Sequence, residues 1–319
     1  MKKFKLMKFA LFLFICLTVL YLIFSELTLS VYELKKNLEK FNIKYLIIAI
    51  FFSVVSLLSN SFSLLLLYRS KIKIGFYQWS RYLYSSYILD HIPLVGQVYR
   101  AKKLKKKKNL SYNNFLALHS FAILINFFFL LILIRFFLLN EDFNFFNIDL
   151  EILNLIIVLY FIFLLFISNL IKFKSLLLNL GNNYIFQKLP DKYTNFFLIL
   201  SNLLKKKLLI LKFTILIMIT HLFNFILFFF IFKTFNFTLD LNIQILIYLI
   251  FNISNLIKIL PKNYVISEYV GASLIGKTAI GFAGGLLFFF LYRFLNIVCI
   301  LLLFFYFSTN NYITRKKFI

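Results

Sequence analysis

The sequence predicts an all-α polytopic membrane protein, with about eight transmembrane helices in two related halves and one or two re-entrant segments. Three observations carry that prediction. The chain is 62% hydrophobic over 319 residues, with a mean hydropathy of +0.90, whereas the surface of a globular domain needs far more polar residues. Apolar stretches long enough to cross ~30 Å of hydrocarbon recur from one end to the other. The lysines bunch in the short connections between them.

The first apolar run, 9–27, follows Lys2, Lys3, Lys5 and Lys8. It is longer than a signal-peptide core and no small-residue cleavage site follows, so it reads as an uncleaved span with its N-terminus inside. On the outer face Val31, Leu34, Leu38 and Phe41 recur at helical spacing, with Glu33, Lys36, Glu39 and Lys40 between them. That pattern suits a helix lying in the interface. Residues 45–67 return to the cytoplasm. Residues 75–92 are different, because they contain Arg81, Asp90 and His91 and have Lys71 and Lys73 before them and Lys102, Lys103 and Lys105 to Lys108 after. If they crossed, the densest basic run would face outward, against the positive-inside rule. A re-entrant segment near 75–93, broken by Pro93, satisfies the charges better.

Residues 115–139 then cross to an acidic loop with Glu141, Asp142, Asp149 and Glu151, and 152–170 come back. The polar stretch 171–207, with Gly181, Pro190 and Lys205 to Lys207, reads as a cytoplasmic linker between a first half, 1–170, and a second, 208–319. There 208–232 go out, 243–260 come in and 286–307 form the last span. Residues 264–282 are the eighth candidate. Counting them makes the number of crossings even, which brings Arg315, Lys316 and Lys317 to the cytoplasmic side with the N-terminus.

The expected location is therefore a bacterial-type inner membrane, with membrane phospholipids as partners and the basic loops beside anionic lipid at the cytoplasmic face. A net charge of +25 raises nucleic acid as a partner. No aromatic–basic binding module accompanies the charge, so none is expected. Phe, Lys, Asn and Ile have A/T-rich codons, so their abundance carries little weight. Gly and Pro need G/C-rich codons, and the 8 Gly and 3 Pro carry more. Cys16 and Cys299 lie inside apolar runs, without metal-ligand spacing or support for a disulfide. No hydrolase elbow, phosphate-cradling loop or zinc spacing occurs, and the expectation is no metal, no cofactor and no catalytic residue.

The two halves share a local pattern. Ile92-Pro93-Leu94-Val95-Gly96-Gln97-Val98-Tyr99-Arg100 is matched by Leu260-Pro261-Lys262-Asn263-Tyr264-Val265-Ile266-Ser267-Glu268, each ending an apolar stretch at a proline with a charge seven residues later. Paired interrupted helices of this kind mark substrate sites in repeat-built transporters. A broken helix frees backbone groups and offers an N-terminus to an anion such as phosphate. Five of the eight glycines, Gly271, Gly276, Gly281, Gly284 and Gly285, follow Glu268 closely. Structural breaks are expected at Pro93, Gly96, Pro261, Gly271, Gly276 and Gly281, although small residues at this spacing also form a surface for close helix packing.

A charge at membrane depth costs roughly 2.5–3.5 kcal/mol on insertion scales, so it marks a site by default. Glu268 has three readings: a headgroup contact, a first-turn acid beside an N-cap Ser267, or an ion pair with Arg293 or Lys277. Arg293 lies mid-span and needs a cavity or a partner. Lys277 could snorkel to the interface. His119 and His221 read as interhelical hydrogen-bonding residues, and Arg135 as an interface anchor.

This combination resembles the transmembrane-region family of lysylphosphatidylglycerol synthetase/flippases, including its stand-alone members. Pro93-x2-Gly96-x3-Arg100 matches the family's proline–glycine–arginine stretch, and Pro261, Glu268 and Arg293 follow in the family's order. The resemblance covers nearly the whole chain. It departs in two places: Lys262 to Ser267 stand where glycines are expected, and His119 stands near an expected arginine. The soluble aminoacyl-transferring domain has no counterpart here, so lysine transfer to lipid by this chain is not expected. The leading expectation is a flippase that moves a phospholipid, aminoacylated lipid or other amphiphile between leaflets, with Glu268, Arg293, Arg100 and Lys277 along the headgroup path. The alternatives are a membrane-embedded transferase acting on a lipid or lipid-linked substrate, and a non-catalytic scaffold for a membrane enzyme partner.

Overall fold

The computed structural model describes residues 39, 41–90, 95–139, 150–179, 191–256 and 264–316, and these form ten helices with no strand among them. In chain order they are α1 Ile43–Arg69, α2 Phe76–Leu89, α3 Val95–Lys108, α4 Tyr112–Leu139 and α5 Leu150–Asn179, then α6 Asp191–Leu204, α7 Lys207–Thr234, α8 Leu241–Leu256, α9 Tyr264–Gly276 and α10 Gly281–Lys316. The first apolar run, the 31–41 segment up to Leu38, the acidic loop at 141–149, Cys16, Pro93, Pro190 and Pro261 lie outside the described residues.

Polar residues punctuate the helices where glycine is scarce. Asn42 caps α1, its Oδ1 accepting from the Lys44 N–H at 3.0 Å, and Ser111 caps α4, its Oγ accepting from the Asn114 N–H at 3.2 Å. Asn109 (φ 55°) and Asn236 (φ 53°) take the left-handed conformation after α3 and α7, a place more often filled by glycine. The chain stops those helices without spending one of its few glycines.

Four helices among the described residues are long and apolar enough to cross a membrane: Ile43–Arg69, Tyr112–Leu138, Lys207–Thr234 and Gly281–Thr309. Shorter apolar helices cover Glu151–Ile167, Asn195–Leu204 and Leu241–Leu256. With 14 residues, α2 rises only ~21 Å at 1.5 Å per residue, short of a crossing. Residues 264–282 do not form one continuous span: α9 has 13 residues, ~20 Å of rise, and a turn follows. Much of the stretch read as a polar linker is helical, because α5 continues to Asn179 and α6 packs against α4 and α5. The apolar spacing of Leu200 and Leu203, both buried, explains that packing.

The chain divides into two compact units. The first comprises Met1–Leu57, Tyr87–Gly96 and Leu222–Tyr306. Its core is aromatic: ring centroids of Phe232 and Phe288 lie 4.1 Å apart, Phe228 and Phe288 4.5 Å, and Phe251 and Phe289 4.6 Å. Interhelical hydrogen bonds cross this apolar interior, among them Ser53 Oγ to Asn296 Oδ1 at 3.3 Å and Ser56 Oγ to Asn224 Oδ1 at 2.6 Å. Gly271 of α9 leaves room for the Phe289 ring of α10, where an added Cβ would lie 2.2 Å from the ring tip. Gly285 does the same for Ala272, whose Cα and O would stand 2.9 Å from such an atom. Gly271 is thus a packing position inside a helix. Gly276 ends α9, and Gly281 (φ 76°) opens α10.

The second unit comprises Leu58–Ser86, Gln97–His221 and Phe307–Ile319. Trp79 is fully buried, with its ring 4.5 Å from that of Tyr68 and its Nε1 donating to the Ser61 carbonyl at 2.9 Å. His221 and Asn126 Oδ1 share an interhelical hydrogen bond of 2.8 Å, as read from the sequence. Arg135 donates to Asn154 Oδ1. Along α5, Leu155, Leu159, Phe163 and Phe166 stand exposed, as a helix facing hydrocarbon requires.

Candidate functional site

The first unit holds a polar cluster inside its apolar core. Arg293 sits near the middle of the span Gly281–Thr309, where an unpartnered guanidinium would be costly. The fold supplies partners from two other helices. Arg293 Nε donates to Glu268 Oε1, an ion pair between α10 and α9. Arg293 Nη2 donates to Asn255 Oδ1 of α8 at 2.7 Å and to Ser267 Oγ of α9 at 2.9 Å. Ser267 Oγ, which is buried, in turn donates to Glu268 Oε2 at 3.1 Å. The Phe251 ring lies 5.4 Å below the guanidinium, adding a cation–π contact.

One hydroxyl therefore bridges both charged groups, accepting from the cation and donating to the anion. Such charge-assisted hydrogen bonds are the strong ones, and the planar arginine fork fixes their geometry. The Arg293 and Glu268 side chains are 21% and 13% exposed, so the pair is neither sealed nor free in solvent.

Three sequence readings resolve here. Because α9 begins at Tyr264, Ser267 and Glu268 stand inside the helix, and Ser267 is not its N-cap. Glu268 pairs with Arg293, while Lys277 stands exposed in the turn after α9. That turn is closed by Thr278, whose N–H and Oγ1 both donate to the Ile275 carbonyl, at 2.9 Å and 2.6 Å. The sequence alone does not single out Asn255 and Phe251. Asn255 was detectable as a polar residue inside the apolar run 243–260, but Phe251 was hidden among 46 Phe.

Arg100 belongs to the second unit, on α3, and is 3% exposed. Its guanidinium carbon lies 5.9 Å from the Trp79 ring centroid and 5.6 Å from that of Phe115. Among the described residues, its Nε and Nη1 are buried with no hydrogen-bond partner. Burying an unpaired ion costs several kcal/mol, while a desolvated cation–π contact returns about 2 kcal/mol. The rings alone do not offset the burial. Lys102, Lys103 and Lys105 to Lys107 on the same helix are exposed, and the basic last turn of α3 suits the negative end of its dipole.

No curated protein and no solved structure matches the chain. A family model described as lysylphosphatidylglycerol synthase TM region matches residues 7–303, which includes every residue of both clusters. The chain is a multi-pass membrane protein that belongs to the lysylphosphatidylglycerol synthase TM region family.

Proposed function

We propose that this protein is a lipid translocator that carries a phospholipid or related amphiphile between leaflets. The observation that carries the reading is the half-buried Arg293–Glu268 pair, bridged by Ser267 and with Asn255 on Arg293, at the middle of an apolar span. A headgroup in transit needs a polar stopping place while its acyl tails remain in hydrocarbon. A phosphate oxygen replaces Glu268 as the partner of Arg293, and a headgroup ammonium or hydroxyl replaces Arg293 as the partner of Glu268. The resident pair keeps both charges compensated until that exchange occurs, so neither is left bare in the membrane. The family's lipid-linked description supports a lipid as cargo. Lys277, exposed at the end of α9, attracts the phosphate on its way in.

In this reading α8 and α9, which pack on each other and are both short, form a re-entrant pair that carries Glu268 into the membrane. Six crossings, at 9–27, 45–67, 115–139, 152–170, 208–232 and 286–307, then keep both basic termini cytoplasmic in an inner membrane, since removing two spans leaves the parity even. The test uses purified protein in liposomes with a fluorescent phospholipid and a membrane-impermeant quencher that reports its leaflet. Wild-type protein accelerates exchange between leaflets. Glu268→Gln and Arg293→Gln each slow it by roughly tenfold or more, the equivalent of one charge-assisted hydrogen bond. Rates unchanged in both variants, or wild-type rates equal to protein-free vesicles, reject the reading.

A further inference from the structure

We propose that Arg100 is the anchor of an oxyanion site, and that its ligand is a phosphate group the chain itself does not supply. Arg100 is buried in the second unit with Nε and Nη1 unpartnered. A guanidinium donates in its own plane, and what the fold provides here are the aromatic rings of Trp79 and Phe115, which contact it through π-electrons and accept no in-plane hydrogen bond of ordinary strength. Among the described residues, no carboxylate, Asp90 just after α2 included, forms an ion pair with Arg100. The helices that supply these three residues, α2, α3 and α4, contain no Asp or Glu.

Arginine is always protonated, so this charge cannot escape by losing its proton as a buried lysine can. A ligand that closes the imbalance must be anionic and must accept several N–H groups, which a phosphate does with the geometry the fork favours. The exposed lysines that follow on α3 raise the local positive potential and concentrate such an anion. The contrast with Glu268 is informative. That carboxylate already has Arg293 and Ser267 as partners, so the group in these two clusters with unmet bonding capacity is a cation. This points to a phosphate-bearing, net-anionic cargo rather than a cationic aminoacylated lipid. That last step rests on the translocation reading, whereas the anion site itself does not.

Trp79 is the sole tryptophan of the chain and lies beside the guanidinium, so its emission reports the site directly. Full-length protein in a neutral detergent is titrated with dihexanoyl phosphatidylglycerol, with inorganic phosphate, and with dihexanoylglycerol, which has the same tails and no phosphate. A saturable change in Trp79 emission is expected with phosphatidylglycerol and none with dihexanoylglycerol. A response to the lipid but not to inorganic phosphate identifies a lipid headgroup, and a response to both identifies the phosphate group alone; either supports the site. Arg100→Gln weakens the response by roughly tenfold or more, as loss of a charge-assisted contact implies. Arg100→Lys, which keeps the charge and serves should the glutamine variant misfold, weakens it by a similar factor because the fork is lost. Unchanged affinity in these variants, or an equal response to dihexanoylglycerol, overturns the proposal. Transport that fails in liposomes while this titration persists removes the translocation reading and leaves the site. Transport that persists while the titration fails removes the site alone.

Discussion

Replacing Arg293 and Glu268 by glutamine, singly and together, measures what the intramembrane pair contributes. Arg293→Gln withdraws donors from Glu268, Asn255 and Ser267 at once and leaves a carboxylate 13% exposed with its serine contact. Breaking a fully buried pair from one side costs about 3–5 kcal/mol, and an exposed pair about 0.2–1 kcal/mol. With exposures of 21% and 13%, the expected loss lies nearer the buried limit, at about 2–3 kcal/mol. Glu268→Gln keeps an amide oxygen for Arg293 Nε and costs less, about 1–2 kcal/mol. The double variant has no unpaired charge, so its loss falls short of the sum of the single losses by about 1–2 kcal/mol. Denaturant unfolding of the purified protein in mixed micelles, followed by Trp79 emission, gives the four stabilities. Strictly additive losses would falsify the pair as an energetic unit.

Two further outcomes follow from the packing. Gly271→Ala places a Cβ 2.2 Å from the Phe289 ring tip, and that ring is held 4.6 Å from Phe251 and 5.0 Å from Phe288. The overpacking cost of about 1–3 kcal/mol exceeds the helix-propensity gain of about 1 kcal/mol or less, so the variant melts at a lower temperature; a rise in the melting midpoint contradicts the close α9–α10 contact. Arg100→Met removes an unpaired buried cation, so thermal scans without added lipid show a midpoint raised by a few degrees, at roughly 2–4 °C per kcal/mol. A midpoint that falls means that Arg100 has a stabilising partner.

Several features were legible in the sequence because they depend on composition and local order. Apolar length alone marks the spans at α1, α4, α7 and α10, since a helix crossing ~30 Å of hydrocarbon needs about 20 apolar residues. The cost of a charge within an apolar run marks Arg293 and Glu268 from the sequence alone. One polar pair reads differently in the fold: Ser267 before Glu268 looks like a cap, yet α9 starts at Tyr264. Residues 171–207 stand out by their polar residues, but the helix α6 within them is not read from those residues.

The sequence by itself determined that this chain lives in a membrane, where its charges had to find partners, and which family its motifs resemble. Only the tertiary structure decided who those partners are. Glu268, Ser267, Asn255 and Arg293 come from three helices separated by up to 38 residues, and no periodicity encodes which faces meet. The same holds for Arg100: its place in the Pro93–Gly96–Arg100 stretch is written in the sequence, but its burial against the Trp79 and Phe115 rings is a property of packing. Hydrophobic burial is non-directional and can be read from composition, whereas a hydrogen bond depends on ångström-scale geometry that exists only once the helices are packed.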